Sequence, residues 1–178
     1  MTSAGRDDVT NAGRDDVSAD WEEIARGANG DPDGSLEPSE LLHLITFSLA
    51  GASYAVRVES VREIVRMRPI TPIPRVAAAV RGVISLRGEM VQVVDMRCRL
   101  GLPPAEPTRT SRIIVVRLDD GRVAGLFVDS VREVLRVARD ATLPASADAM
   151  AVDALCARGD EFVSLIALER VLDIDSGN

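Results

Sequence analysis

From Leu41 onward, apolar runs of about six residues alternate with glycine or proline turns. Runs of this length between turn residues are typical of β-strands. Residues 41–58 (LLHLITFSLAGASYAVRV) contain two such runs joined around Gly51, which predicts a β-hairpin. Residues 108–118 (TRTSRIIVVRL) predict another strand, and Asp119-Asp120-Gly121 predicts the hairpin turn after it. Residues 123–137 (VAGLFVDSVREVLRV) are predicted to continue that sheet.

Residues 80–103 (VRGVISLRGEMVQVVDMRCRLGLP) combine two strands, a tight turn and a short helix. The apolar run that ends at Leu86 is closed by Arg87-Gly88, and a second apolar run follows at once. Asp95 stands where an N-cap is expected, and Gly101 ends the short helix. Because the loop is so short, Arg87 must project from a fixed backbone.

The remaining segments are connectors and one further hairpin. Residues 69–80 (PITPIPRVAAAV) contain X-Pro steps that favour extended backbone, which predicts a loop. Residues 141–155 predict a looser connector. A turn at Arg158-Gly159-Asp160, a strand over residues 162–168 (FVSLIAL) and a terminal helix over residues 168–174 (LERVLDI) complete the chain.

An internal repeat runs through this pattern. SVREIVRM at 60–67 recurs as SVREVLRV at 130–137, and the Arg-Gly turn at 87–88 recurs at 158–159. The offset is 70 residues for the first match and 71, rising to 72, for the second. Their agreement in order and spacing predicts a duplication, with two similar small β units packed about a pseudo-two-fold axis.

Charge divides the chain into two parts. Residues 1–40 hold 11 acidic and 3 basic residues, a net charge of −8, whereas the rest is nearly neutral at +1. Few apolar residues anchor this acidic segment, so residues 1–40 are predicted to be a disordered tail. Hydrophobic residues make up 46% of the chain and aromatic residues 3%, so the core must be built from aliphatic side chains.

The segment RGVISLRGEMVQVVDMRCRLGLP resembles the signature of the CheW-like proteins, the coupling proteins of bacterial chemotaxis. The family pattern is roughly GV-x-NLRG followed by PVVDLR; Ser85 replaces the usual Asn here, and Gln92 replaces the usual Pro. The resemblance covers nearly all of the predicted folded part, residues 41–175. It implies an all-β fold of two pseudo-symmetric, five-stranded, SH3-like barrels with short connecting helices.

The resemblance also implies partners and sites. Proteins of this family are non-enzymatic scaffolds that couple the cytoplasmic tips of chemoreceptors to the regulatory domain of the histidine kinase CheA. The implied location is the cytoplasm, at membrane-associated receptor arrays, and no cofactor is implied. The implied receptor-binding residues are Glu63, Val83, Leu86, Arg87 and Ile113, and the implied kinase-binding residues are Ile45, Val58 and Val61.

Structural alternatives accompany both sets. Ile45, Val58 and Val61 could be ordinary core residues, and Arg87 with Glu63, its expected partner in the free protein, could form a salt bridge with no role in recognition. A coupling protein of a non-flagellar pathway, serving pili, gliding or development, is the alternative within the family.

Other function classes have little support in the sequence. The single histidine, His43, leaves Cys98 and Cys156 without an obvious catalytic base, and no metal-ligand or phosphate-loop spacing is present. Residues 57–99 carry nine Arg against four acids, which would suit a nucleic acid, but there are too few aromatic residues for base stacking. No segment has the roughly 18 apolar residues of a membrane span.

Overall fold

The computed structural model describes residues 41–146, 149, 151–159 and 161–173. Most of these residues lie in eleven β-strands, and the predicted all-β class is confirmed. The strands are β1 Leu41–Leu49, β2 Ala52–Arg57, β3 Val61–Arg66, β4 Val80–Leu86, β5 Glu89–Asp95, β6 Arg112–Arg117, β7 Val123–Val128, β8 Ser130–Ala138, β9 Thr142–Pro144, β10 Val152–Arg158 and β11 Glu161–Ile166. Two short α-helices, α1 Met96–Arg99 and α2 Leu168–Leu172, and 3-10 turns at Val58–Ser60 and Arg139–Ala141 connect them. The acidic segment 1–40 lies outside the described residues, and none of the described helices is long and apolar enough to span a membrane.

The strands form two sheets of similar design. The first sheet has the order β8-β1-β2-β11-β10-β9, and the second has the order β3-β6-β7-β5-β4. All pairings are antiparallel except one in each sheet, β2 with β11 and β5 with β7. These two sheets are the two small β units that the repeat predicted.

Both sheets use the same strand order, but neither is built from one half of the chain. A shift of 70–72 residues takes β3, β4 and β5 to β8, β10 and β11, and takes β1 and β2 to β6 and β7. The first sheet therefore contains β1 and β2 from the first half together with the three equivalent strands and the additional strand β9 from the second half. The halves exchange their hairpins, and each sheet closes only when both halves are present.

Three apolar clusters fill the molecule. One lies within the first sheet and includes Leu44 and Cys156, and one lies within the second and includes Ile113 and Phe127. The third and largest lies between the sheets and includes Ile45, Ile114 and Leu126. Neighbouring residues of β6, such as Ile113 and Ile114, point into different clusters because successive side chains of a strand face opposite ways.

Several predicted local features are confirmed. The hairpin around Gly51 and the short helix after Asp95 are present, and the strand predicted over 162–168 is present as β11, Glu161–Ile166. The Asp95 carboxylate accepts hydrogen bonds from the backbone N–H groups of Arg97 and Cys98, as an N-cap does.

Two segment predictions are corrected. The run 123–137 does not continue one sheet, because β7 and β8 separate at Asp129 and belong to different sheets. The predicted connector 141–155 contains β9 and the start of β10. At Asp129 the chain stays extended, and its sequence does not show where the hydrogen-bonding partner changes.

The second sheet is closed by a close crossing of two backbones. Thr71, in the loop after β3, exchanges two backbone hydrogen bonds of 2.8 Å with Val83 of β4. Gly82 allows this approach, because a Cβ atom there would lie 2.1 Å from the Thr71 carbonyl oxygen. In the first sheet, β9 makes the equivalent closure against β10.

A partly buried ion pair connects the two sheets. The Arg97 guanidinium donates from Nε and Nη2 to both carboxylate oxygens of Asp129, at 2.8 and 2.6 Å. The same carboxylate accepts a 2.8 Å bond from the backbone N–H of Ala50, in the β1–β2 turn. Arg97 follows β5 of the second sheet, so this contact joins α1, the β7–β8 junction and the first sheet.

Candidate functional site

The tight turn between β4 and β5 presents Arg87. Arg87 and Gly88 both have positive φ, 50° and 86°, which fits the two-residue turn whose twist matches paired antiparallel strands. Arginine seldom adopts this backbone conformation, so the turn imposes it. The Arg87 side chain is 68% exposed and projects from the tip of the hairpin, as the sequence predicted.

Two ion pairs link this turn to β3. Arg87 Nη2 lies 3.5 Å from Glu63 Oε2, so the predicted pair is present. Beside it, Arg62 Nη1 donates to Glu89 Oε2 at 2.8 Å. The Glu63 side chain is mostly buried, 13% exposed, whereas Arg87 is open to solvent. These contacts join the two outer strands of the second sheet at the end opposite the Thr71–Val83 crossing.

The first sheet carries a matching pair. Arg158 Nη2 lies 2.6 Å from Glu133 Oε1, and Glu133 is the repeat equivalent of Glu63. Arg158 ends β10, whereas Arg87 stands in the turn, because the offset changes from 71 to 72 at this point of the repeat. An arginine–glutamate pair therefore occurs at the equivalent place in both sheets. The arginine is the last residue of its strand in the first sheet and the residue after the strand in the second.

An outer face with both apolar and polar residues lies next to Arg87. Ser85 of β4 pairs with Met90 of β5, and Val83 pairs with Gln92, so these four residues share the outer face of the hairpin. Met90 is 68% exposed, and Val83 is partly buried. Met90 lies in the second apolar run of residues 80–103, and no role was predicted for it. The alternation of Met90 and Gln92 with the inward Val91 and Val93 is the signal that could have identified it.

The other two predicted receptor-binding residues face inward. Leu86 and Ile113 belong to the cluster inside the second sheet, and Ile113 is fully buried. Their side chains support the hairpin and β6 from within and provide no surface for a partner.

The three predicted kinase-binding residues are divided between the sheets. Ile45 of β1 is buried in the cluster between the sheets, which favours the core alternative for this position. Val58, in the 3-10 turn, and Val61, on β3, are partly buried and pack against the edge of the same cluster. They lie where the chain passes from the first sheet to the second.

Reactive side chains do not converge in the described residues. Cys98 is exposed and Cys156 is buried, where desolvation raises the pKa of its thiol. His43 is exposed on β1, opposite Arg136 of β8. Among the described residues, no group of three or more His, Cys, Asp or Glu side chains could hold a metal ion.

The arginines of residues 57–99 are largely engaged with the protein itself. Arg62, Arg87 and Arg97 pair with carboxylates, and Arg99 donates to three backbone carbonyls at the end of α2. This interleaving of opposite charges is typical of a solvated protein surface.

Comparison with known proteins identifies a family and relatives to which this chain is similar. The sequence model of the family described as "CheW-like domain" matches residues 43–176. The chain is 35% identical over 131 residues to the probable chemotaxis protein CheW of Rhizobium etli, which covers 71% of this chain and 84% of that protein. It is 43% identical over 94 residues to the chemotaxis protein CheW of Rhizobium meliloti, covering 53% of this chain and 60% of that one.

A solved structure has the same fold. The scaffolding protein TtCheW of Thermoanaerobacter tengcongensis superimposes with a TM-score of 0.71 and 29% identity. The match covers 76% of this chain and 95% of that structure.

Proposed function

The chain belongs to the CheW-like family, and from that premise we propose that it is a non-enzymatic scaffold that couples chemoreceptor tips to the histidine kinase CheA. Its place would be the cytoplasmic side of membrane-associated receptor arrays. The observation that carries the proposal is the Arg87 turn, where a mostly exposed guanidinium and the exposed side chain of Met90 lie on the same hairpin.

The outer face of the β4–β5 hairpin supplies what a receptor helix needs. A helix packs through apolar contacts and is oriented by a few charged ones. Met90 and Val83 would provide the apolar contact, Arg87 would provide the charge, and Glu63 would hold Arg87 in place in the free protein. Leu86 and Ile113 would act through the packing beneath this face.

The competing account makes Arg87–Glu63 a purely structural ion pair. An ion pair with an exposed partner contributes about 0–1 kcal/mol to stability. Because Arg87 is 68% exposed, its removal should hardly change the free energy of unfolding. A binding role and a structural role therefore predict different results.

The test compares two arginines in equivalent positions. Arg87→Ala should weaken binding to a receptor-tip fragment about tenfold or more, or 1.4 kcal/mol, and leave kinase binding intact. Arg158→Ala removes the equivalent ion pair from the first sheet and should leave receptor binding unchanged. Arg87→Lys should restore binding only in part, because a bidentate fork becomes a point charge. Normal receptor binding by Arg87→Ala would show that the turn has a structural role and no role in recognition.

The kinase is proposed to dock at Val58 and Val61. Truncating an apolar anchor of an interface costs about 1–4 kcal/mol of binding energy. Val61→Asp should abolish binding of the kinase regulatory domain while receptor binding persists, the reverse of Arg87→Ala. Its urea midpoint should be measured in parallel, and unfolding of the variant would assign Val61 to the core instead.

A further inference from the structure

A cavity opens where the loop after β3 crosses β4. It has a volume of about 370 Å³ and is lined by Met67, Arg68, Ile70, Pro72, Arg81 and Pro107. Cavities of roughly 300–1,000 Å³ are the size that holds small ligands. Four of the lining residues are apolar, and the other two are arginines.

Both arginines have unused hydrogen-bond donors. A guanidinium has five N–H donors. Within the described part of the chain, Arg68 donates once, from Nη1 to the Ser85 carbonyl at 3.1 Å, and its buried Nε has no acceptor. The buried Nη1 of Arg81 also has none, since its nearest carboxylate, Asp95, is 3.6 Å away.

The two guanidinium groups are held in place by the fold. The Arg81 Cζ lies 4.4 Å from the centroid of the Phe127 ring, a cation–π contact on the second sheet. Arg68 is tied to the carbonyl of Ser85 on β4. The walls are stiffened by Pro72 and Pro107, whose rings fix the backbone φ. A site ordered in this way loses little conformational entropy when it binds a ligand.

The charge of the cavity favours a single negative charge. Arg81 lies 3.6 Å from one carboxylate, that of Asp95, and one oxygen of that carboxylate is occupied as the N-cap of α1. The local balance is one positive charge in excess. Guanidinium groups match the geometry of carboxylate and phosphate oxygens.

We propose that this cavity binds a small organic anion, in which a carboxylate or phosphate group lies between Arg68 and Arg81 and an apolar body packs against Met67 and Ile70. The site adjoins the outer face of the β4–β5 hairpin at Ser85, and the proposal does not depend on the proposed coupling function. Binding would tie the loop after β3 more firmly to β4 through Arg68 and Ser85.

The test uses the full chain labelled with ¹⁵N and four small probes. Benzoate and phenyl phosphate carry the anion, and benzamide is the neutral equivalent of benzoate. We expect an anionic probe to shift the amide signals of Ile70 and Arg81 with a dissociation constant of about 1 mM or tighter. Benzamide should shift them little, and inorganic phosphate should bind more weakly than phenyl phosphate. A preference between the two anionic probes identifies the acid group.

Charge-removing variants complete the test. Arg68→Gln and Arg81→Gln should each weaken binding about tenfold, because each removes charge-assisted hydrogen bonds. The control Arg136→Gln removes an exposed arginine of β8 in the other sheet and should bind the probes normally. If Arg81→Gln does not fold, Arg68→Gln decides. Equal binding of benzoate and benzamide, or undiminished binding by Arg68→Gln, would overturn the proposal.

Discussion

The ion pair between Arg97 and Asp129 should be a main determinant of how firmly the two sheets are joined. Asp129 accepts two bonds from Arg97 and one from Ala50, all between 2.6 and 2.8 Å. The two side chains are 15% and 26% exposed, so solvent screens the pair only in part. Removing the carboxylate also leaves the guanidinium without its main acceptor.

The magnitude follows from these contacts. A hydrogen bond to a charged group contributes about 1.5–3 kcal/mol, and the three bonds here are not additive. Asp129→Ala should therefore lower the free energy of unfolding by about 2–4 kcal/mol, after allowance for partial exposure. With a urea m-value of about 2 kcal/mol/M, the middle of the usual range for small proteins, the denaturation midpoint should fall by about 1–2 M.

The assay is urea denaturation followed by far-UV circular dichroism, since the single tryptophan, Trp21, lies outside the described residues. Arg97→Ala, Asp129→Ala and the double variant form a double-mutant cycle, which isolates the coupling between the two side chains. The control Asp120→Ala breaks an exposed pair with Arg122 and should leave the midpoint unchanged. A midpoint shift for Asp129→Ala no larger than that of the control would refute the reasoning.

The pH dependence gives an independent check. The Arg97 guanidinium, and then the Ala50 N–H, hold the pKa of the Asp129 carboxyl below its ordinary value, against the opposing effect of burial. A depressed folded-state pKa adds stability above the unfolded value of about 3.9, and that stability is lost as the pH falls through the folded pKa. The difference between wild type and Asp129→Ala should thus be constant near neutral pH and shrink below about pH 4. A difference that persists unchanged in acid would exclude this linkage.

Three further outcomes are expected. Gly82→Ala should lower the melting temperature strongly, because the new Cβ would lie 2.1 Å from the Thr71 carbonyl oxygen. Gly51→Ala is the control: Gly51 also has a positive φ, but a Cβ there would meet no atom within 4 Å, so this variant measures the cost of backbone strain alone. Cys98 should react at once with a thiol reagent and Cys156 only on unfolding, as judged by mass spectrometry, because Cys156 is buried with a raised thiol pKa. Deleting residues 1–38 should leave the melting temperature within a few degrees, since so polar a segment has little apolar surface to bury; a large decrease would show that the tail packs on the sheets.

Local structure could be predicted well from the sequence alone. The Arg87-Gly88 turn, the Asp95 N-cap and the hairpin around Gly51 depend on residues close together in the chain. The repeated SVRE and Arg-Gly segments also predicted two similar β units. These features share one physical basis, because turn geometry and capping are set by a few neighbouring side chains.

The partners of each strand could be decided only by the tertiary structure. The parallel pair of β2 with β11 joins residues more than 100 positions apart, and no local pattern specifies it. The same limit explains Ile45 and Ile113. Around these two positions both strands are buried on two faces, because successive residues of each strand pack into different clusters. The alternation of apolar and polar residues therefore does not show which side faces outward.

The receptor face and the cavity illustrate the same division. Arg87 could be singled out from its place in a short turn, but its distance to Glu63 depends on how the second sheet closes. Arg68 and Arg81 are 13 residues apart in the chain and line one cavity only because the loop after β3 crosses β4 at Gly82. The sequence by itself determined the strands, turns and repeat, because these follow from neighbouring residues. The exchange of hairpins and the meeting of distant side chains were decided by tertiary packing, because long-range pairing depends on burying both sheets together.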